Sequence, residues 1–313
     1  MTFTPARVLL VGEHVAEIRD LIGAARPDLA LRMKRLAEIN AADLDWAQVY
    51  VGFRKPAVDG WGKVQWIHSI GAGVDGLVFR KSPPRGIILT KSGEDFGPAI
   101  GEWCVCRALA VNQRLADLAA DQKNHVWDRS KEPTVLRGQR VVILGTGAVG
   151  SGIARAFRGL GCRVAGVSRS GAARPDFDSV SQPTEFAAAV RGAHWIIVAL
   201  PLTEDSIGWL SRDRLAECGG AYLMNVGRGA VIDEGAIPMA LDNGWIRGAA
   251  LDVFATEPLP ADSALWDHPN VVLSPHNSGP STVQATADGF LNSLRSIERG
   301  ETPRTLVDPH SGY

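Results

Sequence analysis

Ten consecutive residues, Val141-Val142-Ile143-Leu144-Gly145-Thr146-Gly147-Ala148-Val149-Gly150, leave this chain few ways to fold. The four apolar residues read as a buried strand, and Ile153, Ala154, Phe157 and Leu160 recur at helical spacing beyond the loop. Between them, each glycine meets a need of a strand-to-helix turn that approaches a pyrophosphate. Gly145 permits the tight turn, Gly147 lets backbone approach the anion, and Gly150 lets the helix pack closely on the strand. The N–H groups near Ala148 and Val149 open the helix, where the helix dipole favours an anion by about 0.3–1 kcal/mol. A glycine pattern alone is weak evidence. With a strand before it and a helix after it, the pattern specifies a dinucleotide-binding loop.

The next apolar run, 163–167, ends at Ser168-Arg169-Ser170. A site for NAD ordinarily has an acidic residue here, accepting hydrogen bonds from the ribose 2′-hydroxyl. None is present. Arg169 can pair with a 2′-phosphate, and Ser168 and Ser170 can donate to it. A charge-assisted hydrogen bond of about 1.5–3 kcal/mol corresponds to roughly a ten- to hundredfold preference. The expected cofactor is therefore NADP, with NAD possible.

Around this unit, short apolar runs alternate with helical patterns. They lie at 7–11, 31–35, 49–51, 65–69 and 87–90 before it, and at 194–199, 221–225, 248–252 and 271–273 after it. Such alternation predicts an α/β protein with parallel sheets covered on both faces. A chain of 313 residues suits two domains. We expect a dinucleotide-binding domain over 98–282 and a substrate-binding domain made of 1–97 rejoined by 283–313. A single long helix is expected after Pro98, with the stripe Ile100, Cys104, Ala108, Val111, Leu115 and Leu118. The polar segment 121–137, broken by Pro133, reads as a connection. The last helix is expected to start at Ser281 with Gln284 completing a capping box, and to stop at Gly300.

Composition narrows the function classes. The net charge is -1 and basic residues are scattered, so nothing favours nucleic acid or an anionic membrane as partner. Apolar runs fall well short of the roughly 20 residues of a membrane span. The run 8–11 is interrupted by Gly12, Glu13 and His14, unlike a secretion signal. Cys104, Cys106, Cys162 and Cys218 show no CxxC spacing and read as reduced, mostly buried thiols of a cytoplasmic protein. No His, Cys or carboxylate grouping has metal-ligand spacing, so no metal is expected.

Three later segments carry chemistry: Asn225-Val226-Gly227-Arg228-Gly229, Asp252-Val253-Phe254 running on to Glu257-Pro258-Leu259-Pro260, and Ser274-Pro275-His276. Each follows a predicted strand, and in a doubly wound sheet ligands bind at the carboxyl ends of strands. Arg228, Glu257 and His276 can therefore converge. Reduction of a 2-keto acid puts negative charge on the carbonyl oxygen as hydride arrives, and an imidazolium can protonate it. Histidine is the side chain that changes charge near neutral pH. Glu257 can orient the His276 ring, and the planar fork of Arg228 can hold a carboxylate and carbonyl. His14, His68, His125, His194, His268 and His310 lack such context and read as structural or solvated.

In this order these blocks resemble the D-isomer-specific 2-hydroxyacid dehydrogenases, over nearly the whole chain, and the glyoxylate/hydroxypyruvate reductase branch in particular. The resemblance implies two doubly wound parallel-sheet domains, a Rossmann cofactor domain and a flavodoxin-like substrate domain, with an active-site cleft between them. It implies Arg228 as substrate binder, His276 as acid/base and Glu257 as its partner. Backbone N–H groups at Ala72, Gly73 and Val74, in Gly71-Ala72-Gly73-Val74-Asp75, would bind the substrate carboxylate. Leu200, Pro201 and Thr203 would lie near the adenosine half of the cofactor, Val226 and Gly227 along it, and Asp252 near the nicotinamide carboxamide. A homodimer is implied, with Trp127 near its interface, and a small 2-keto acid as substrate. Two departures stand out. Asn277 follows His276 where an apolar residue is usual, and Arg54 and Lys55 put two cations near the substrate loop. Trp46, Trp61 and Trp66 are candidates for either an aromatic pocket wall or core packing. The alternative from another class is a dinucleotide-sensing protein of the corepressor type, with little turnover.

Overall fold

Near-continuous apolar runs form the inner strands, which are buried on both faces. The computed structural model describes residues 3–12, 15–79, 86–93 and 95–308, so His14 and His310 lie outside the described residues. The chain divides into two compact units, one of residues 1–94 and 281–313, the other of residues 95–280.

The first unit holds β1 (Arg7–Val11), β2 (Ala30–Lys34), β3 (Val49–Gly52), β4 (Trp66–Ser69) and β5 (Ile88–Lys91) in one sheet of order β2-β1-β3-β4-β5. All its pairings are parallel. Successive residues alternate between the faces. Leu9, Tyr50, Ile67 and Leu89 face one cluster, while Val8, Leu10, Val51 and Trp66 face another with Phe290 and Leu294. Trp66 stacks on Phe290 with ring centroids 4.9 Å apart, and Trp61 meets Tyr50 edge-on at 5.2 Å. Both tryptophans are core residues, while Trp46 carries the Arg32 guanidinium over its ring. The last helix, Val283–Glu298, packs on this unit beside helix Ala16–Ala25, and Arg26 grips Glu298 through two hydrogen bonds of 2.9 and 3.0 Å.

The second unit holds β6 (Arg140–Leu144), β7 (Arg163–Val167), β8 (Ser179–Ser181), β9 (Trp195–Val198), β10 (Ala221–Asn225), β11 (Ile246–Leu251) and β12 (Val271–Leu273). Their order is β12-β11-β10-β9-β6-β7-β8, all parallel. The order reverses at β6, where a doubly wound sheet places its ligand crevice. Helix Gly97–Asn112 lies on helix Ala148–Gly159 without side chains between them at Gly97 and Gly152, where a Cβ added to Gly152 would overlap the Gly97 backbone.

The fold departs from the sequence reading in four places. β8 is a Ser-Val-Ser edge strand with no apolar signal, made a strand by pairing with β7. The expected single helix is two, Gly97–Asn112 and Leu115–Lys123, broken where Arg114 takes φ 54°. Leu115 and Leu118 continue the spacing but are exposed, so the stripe loses its core beyond the break. As a result, the segment read as connection from 121 begins inside the second of these helices. At the last helix Thr282, not Ser281, is the cap. Its hydroxyl accepts from the Ala285 N–H, while the Ser281 hydroxyl pairs with Thr286 and Gln284 reaches Asp288. Gly300, at φ 72°, does follow the helix end. Among the described residues no helix is long and apolar enough to cross a membrane.

Candidate active site

The glycine loop leaves the end of β6 at the point where strand order reverses. Gly145 adopts φ 105°, and a Cβ there would sit 2.7 Å from the Ala199 carbonyl oxygen. At Gly150 a Cβ would overlap the Gly145 carbonyl, so the helix meets the turn in backbone contact. Gly147 differs, because a Cβ there would meet nothing within 4 Å. It is also the N-cap of helix Ala148–Gly159, with no side chain capping the first N–H groups. The loop thus turns a bare helix start outward, a backbone anion site.

At the end of β7, Ser168 Oγ is buried and has no hydrogen-bond partner, which leaves a donor unsatisfied at the end of the strand. Arg169 and Ser170 are exposed beside it, and Ser170 Oγ accepts from the Ala172 N–H at 3.2 Å. These features fit a dinucleotide. Beyond β9, the Leu200-Pro201-Leu202-Thr203 turn is fixed by buried Ser206, whose hydroxyl donates to the Pro201 carbonyl at 2.7 Å and accepts from the Thr203 N–H at 2.7 Å. Gly227 packs on this turn, where a Cβ would lie 2.6 Å from the Leu200 carbonyl oxygen.

Arg228, Glu257 and His276 come together at the ends of β10, β11 and β12. Asn225, 1% exposed at the last position of β10, accepts from the Gly227 N–H and donates to the Arg228 carbonyl, both at 3.1 Å. Val226 is buried inside the turn so formed. A Cβ at Gly229 would overlap the Phe254 carbonyl carbon, so the two loops cross in backbone contact and bring Arg228 towards Glu257. Arg228 donates from Nη1 to the Gly227 carbonyl at 2.8 Å.

His276 Nδ1 and Glu257 Oε2 are 2.9 Å apart, and Glu257 Oε1 accepts from the Phe254 N–H at 3.1 Å. Burial pushes the Glu257 carboxyl up. The hydrogen bonds from His276 and Phe254, with the charges of His276 and Arg228, outweigh it and hold the group below the usual carboxylate range.

His276 adopts φ 52°, which needs support in a residue with a side chain. Asp252, fully buried, supplies it. Its carbonyl accepts from the His276 N–H at 2.8 Å. Its side-chain Oδ1 accepts from Ser274 Oγ at 2.6 Å and the Asn277 N–H at 2.9 Å, and Oδ2 from the Ser278 N–H at 2.9 Å. The sequence reading quoted Asn225 and Ser274 within their motifs without a role, missed Ser206, and saw Asp252 without this network. An amide as the last residue of a buried strand, Asn225, and a hydroxyl just beyond one, Ser274, were the available signals, whereas Ser206 lies eight residues past β9 and had none.

In the first unit, the loop Gly71–Asp75 follows β4. Ser69 Oγ donates to the Gly73 carbonyl at 2.6 Å. The N–H groups of Ala72, Gly73 and Val74 donate to no acceptor among the described residues. Lys55 N–H donates to the Gly76 carbonyl at 2.8 Å, while its ammonium lies 5.5 Å from the Trp61 ring centroid; Arg54 is exposed. Among the described residues no group of three or more His, Cys, Asp or Glu could hold a metal ion.

Residues 105–278 match the model of the D-isomer specific 2-hydroxyacid dehydrogenase, NAD binding domain family. The glyoxylate/hydroxypyruvate reductase A of Serratia proteamaculans is 31% identical over 260 residues, covering 80% of this chain and 82% of that protein. A D-isomer specific 2-hydroxyacid dehydrogenase from Xanthobacter autotrophicus, solved with NADPH and MES, aligns with TM-score 0.86 and 29% identity over 99% of this chain and 100% of that one. An NADPH-dependent glyoxylate/hydroxypyruvate reductase from Sinorhizobium meliloti, solved with NADP and sulfate, aligns with TM-score 0.83 and 25% identity, over 98% of this chain and all of that one.

Proposed function

Since this chain belongs to the D-isomer-specific 2-hydroxyacid dehydrogenase family of NAD(P)-dependent oxidoreductases, we propose that it reduces small 2-keto acids of the glyoxylate and hydroxypyruvate class to D-2-hydroxy acids, with NADPH as preferred donor. The observation that carries the reading is the His276–Glu257 hydrogen bond of 2.9 Å beside Arg228. With Nδ1 engaged by Glu257, Nε2 is the nitrogen left for substrate. In reduction His276 is an imidazolium, and its Nε2–H protonates the developing alkoxide at C2. In oxidation neutral Nε2 takes the hydroxyl proton back. Bound nicotinamide supplies or accepts the hydride at C2. Glu257 stays ionised through the cycle, consistent with the direction of its shift, and keeps the ring oriented. Arg228 binds the substrate's carboxylate and carbonyl oxygens, stabilising charge where it grows. The N–H groups of Ala72, Gly73 and Val74 bind the same carboxylate. Asp252, placed by resemblance near the nicotinamide carboxamide, also positions His276 through the loop it holds.

NADPH is favoured by the orphaned Ser168 hydroxyl, by Arg169 and Ser170, and by the lack of an acid beside them. The relatives from Xanthobacter and Sinorhizobium were solved with NADPH and NADP. A cytoplasmic homodimer follows as part of the proposal. Trp127 is 91% exposed, and Leu115, Leu118, Val126 and Val135 on the same stretch of chain are exposed too, apolar side chains that a second copy would cover. The test is oxidation of NADPH and NADH against 2-keto acids from glyoxylate to phenylpyruvate. Turnover of a small member with NADPH supports the reading; tight dinucleotide binding without turnover on any acid replaces it with the dinucleotide-sensing alternative.

A further inference from the structure

The first unit carries a solvent-open cavity of about 650 Å³ that includes none of the residues assigned above to substrate, cofactor or catalysis. The last helix forms one wall. Arg295 and Arg299 are four positions apart, so they share a face, with Asn292 and Ser296 beside them. After the helix ends the chain contributes Arg304 and Thr305 as the other wall. This wall is fixed. Thr305 Oγ1 pairs with the buried Ser293 hydroxyl at 3.0 Å, and the Thr305 carbonyl accepts from the Lys91 N–H at 3.2 Å. Arg295 is held too, with Nη2 donating to Asn292 Oδ1 at 2.7 Å.

The charges do not balance. Three arginines line the cavity against one carboxylate, Asp288, which Gln284 engages at 3.1 Å. Among the described residues the guanidinium groups of Arg299 and Arg304 have no hydrogen-bond or ion-pair partner, whereas those of Arg19, Arg26, Arg114, Arg155 and Arg158 each face a carboxylate. A helix carboxyl end by itself favours cations such as Arg295 and Arg299. It does not explain Arg304 converging from a separate segment on a cavity also lined by Ser296 and Thr305. Guanidinium forks with hydroxyls between them match tetrahedral oxyanions.

We propose that this cavity is a second, non-catalytic site that binds a compact small-molecule anion carrying at least two charges, of the phosphate-ester class. Inorganic pyrophosphate is the probe, titrated calorimetrically at constant ionic strength into protein saturated with NADPH, so that the glycine loop is already filled. A saturable site is expected. The double variant Arg299→Gln, Arg304→Gln should weaken it at least about tenfold, and Arg304→Lys should retain most of the affinity. Unchanged thermal unfolding of the variants would show that the fold is intact. Wild-type affinity in the double variant, or heat reproduced by sodium chloride alone, would overturn the proposal.

Discussion

The two units use similar sheets in opposite ways at their strand ends. In the second unit, the side chains proposed for the chemistry are each locked: His276 by Glu257 and Asp252, the Arg228 turn by Asn225, and the loop crossing by Gly229. In the first unit, the loop after β4 offers backbone donors at 72–74 and is held by Ser69, whose hydroxyl donates to the Gly73 carbonyl and accepts from the Gly71 N–H. A proton carrier must be placed to a fraction of an ångström, so its supports are many. A carboxylate-binding loop works with three N–H groups of any side chain, and few supports suffice.

The sharpest way to break this contrast is at His276, the proposed proton carrier. His276→Asn should lower kcat by roughly 10²–10⁴-fold while NADPH still binds, as steady-state kinetics beside fluorescence titration would reveal. Normal turnover would remove His276 from the mechanism. The lock at the loop crossing comes next. Gly229→Ala inserts a methyl into the Phe254 backbone and should cost about 3 kcal/mol or somewhat less in urea unfolding, with activity falling alongside; a stable, active variant would show that the loops can part. Arg169→Asp should change the NADPH-to-NADH ratio of kcat/KM by roughly ten- to hundredfold towards NADH, and an unchanged ratio would make Arg169 a surface charge.

The smallest effect sharpens the comparison from the side of the first unit. His68, in β4 just before the substrate loop, is fully buried, with Nδ1 2.7 Å from Thr90 Oγ1 and Nε2 without a partner. Burial pushes the His68 imidazole down to about 3. Unfolded, it titrates near 6.5. Below that value the unfolded chain binds a proton that the native one refuses, so this contribution is whole above about pH 6.5 and is lost as pH falls towards 3. The expected slope is about 1.4 kcal/mol per pH unit. Urea unfolding of wild type and His68→Gln between pH 7 and pH 5 should show a steeper loss in the wild type; parallel curves would contradict it.

What the sequence shows depends on whether a signal is local. The glycine loop was legible because Gly145 and Gly150 meet requirements of one short turn, and β9 and β10 because both faces are buried and their residues are nearly all apolar. β8 was not, since a Ser-Val-Ser segment becomes a strand only by lying against β7. The break at Arg114 lacks the glycine or asparagine that usually marks a left-handed residue. Ser281 and Thr282 are both good caps, and only the position of Ala285 chooses between them. At the site, Arg228, Glu257 and His276 were readable as chemistry at strand ends. The Asp252 network was not, because its donors sit more than twenty residues away in sequence.

The seam between Gly97 and Gly152 has a mechanical consequence. At this seam the two helices touch backbone to backbone with no side chain between them, which favours their moving as a stiff pair. One of them begins at Ala148, where the phosphates of a dinucleotide would dock; the other begins at Gly97, two residues after the chain enters the second unit. Amide exchange around Gly97 and Gly101 should therefore slow when a dinucleotide fills the glycine loop.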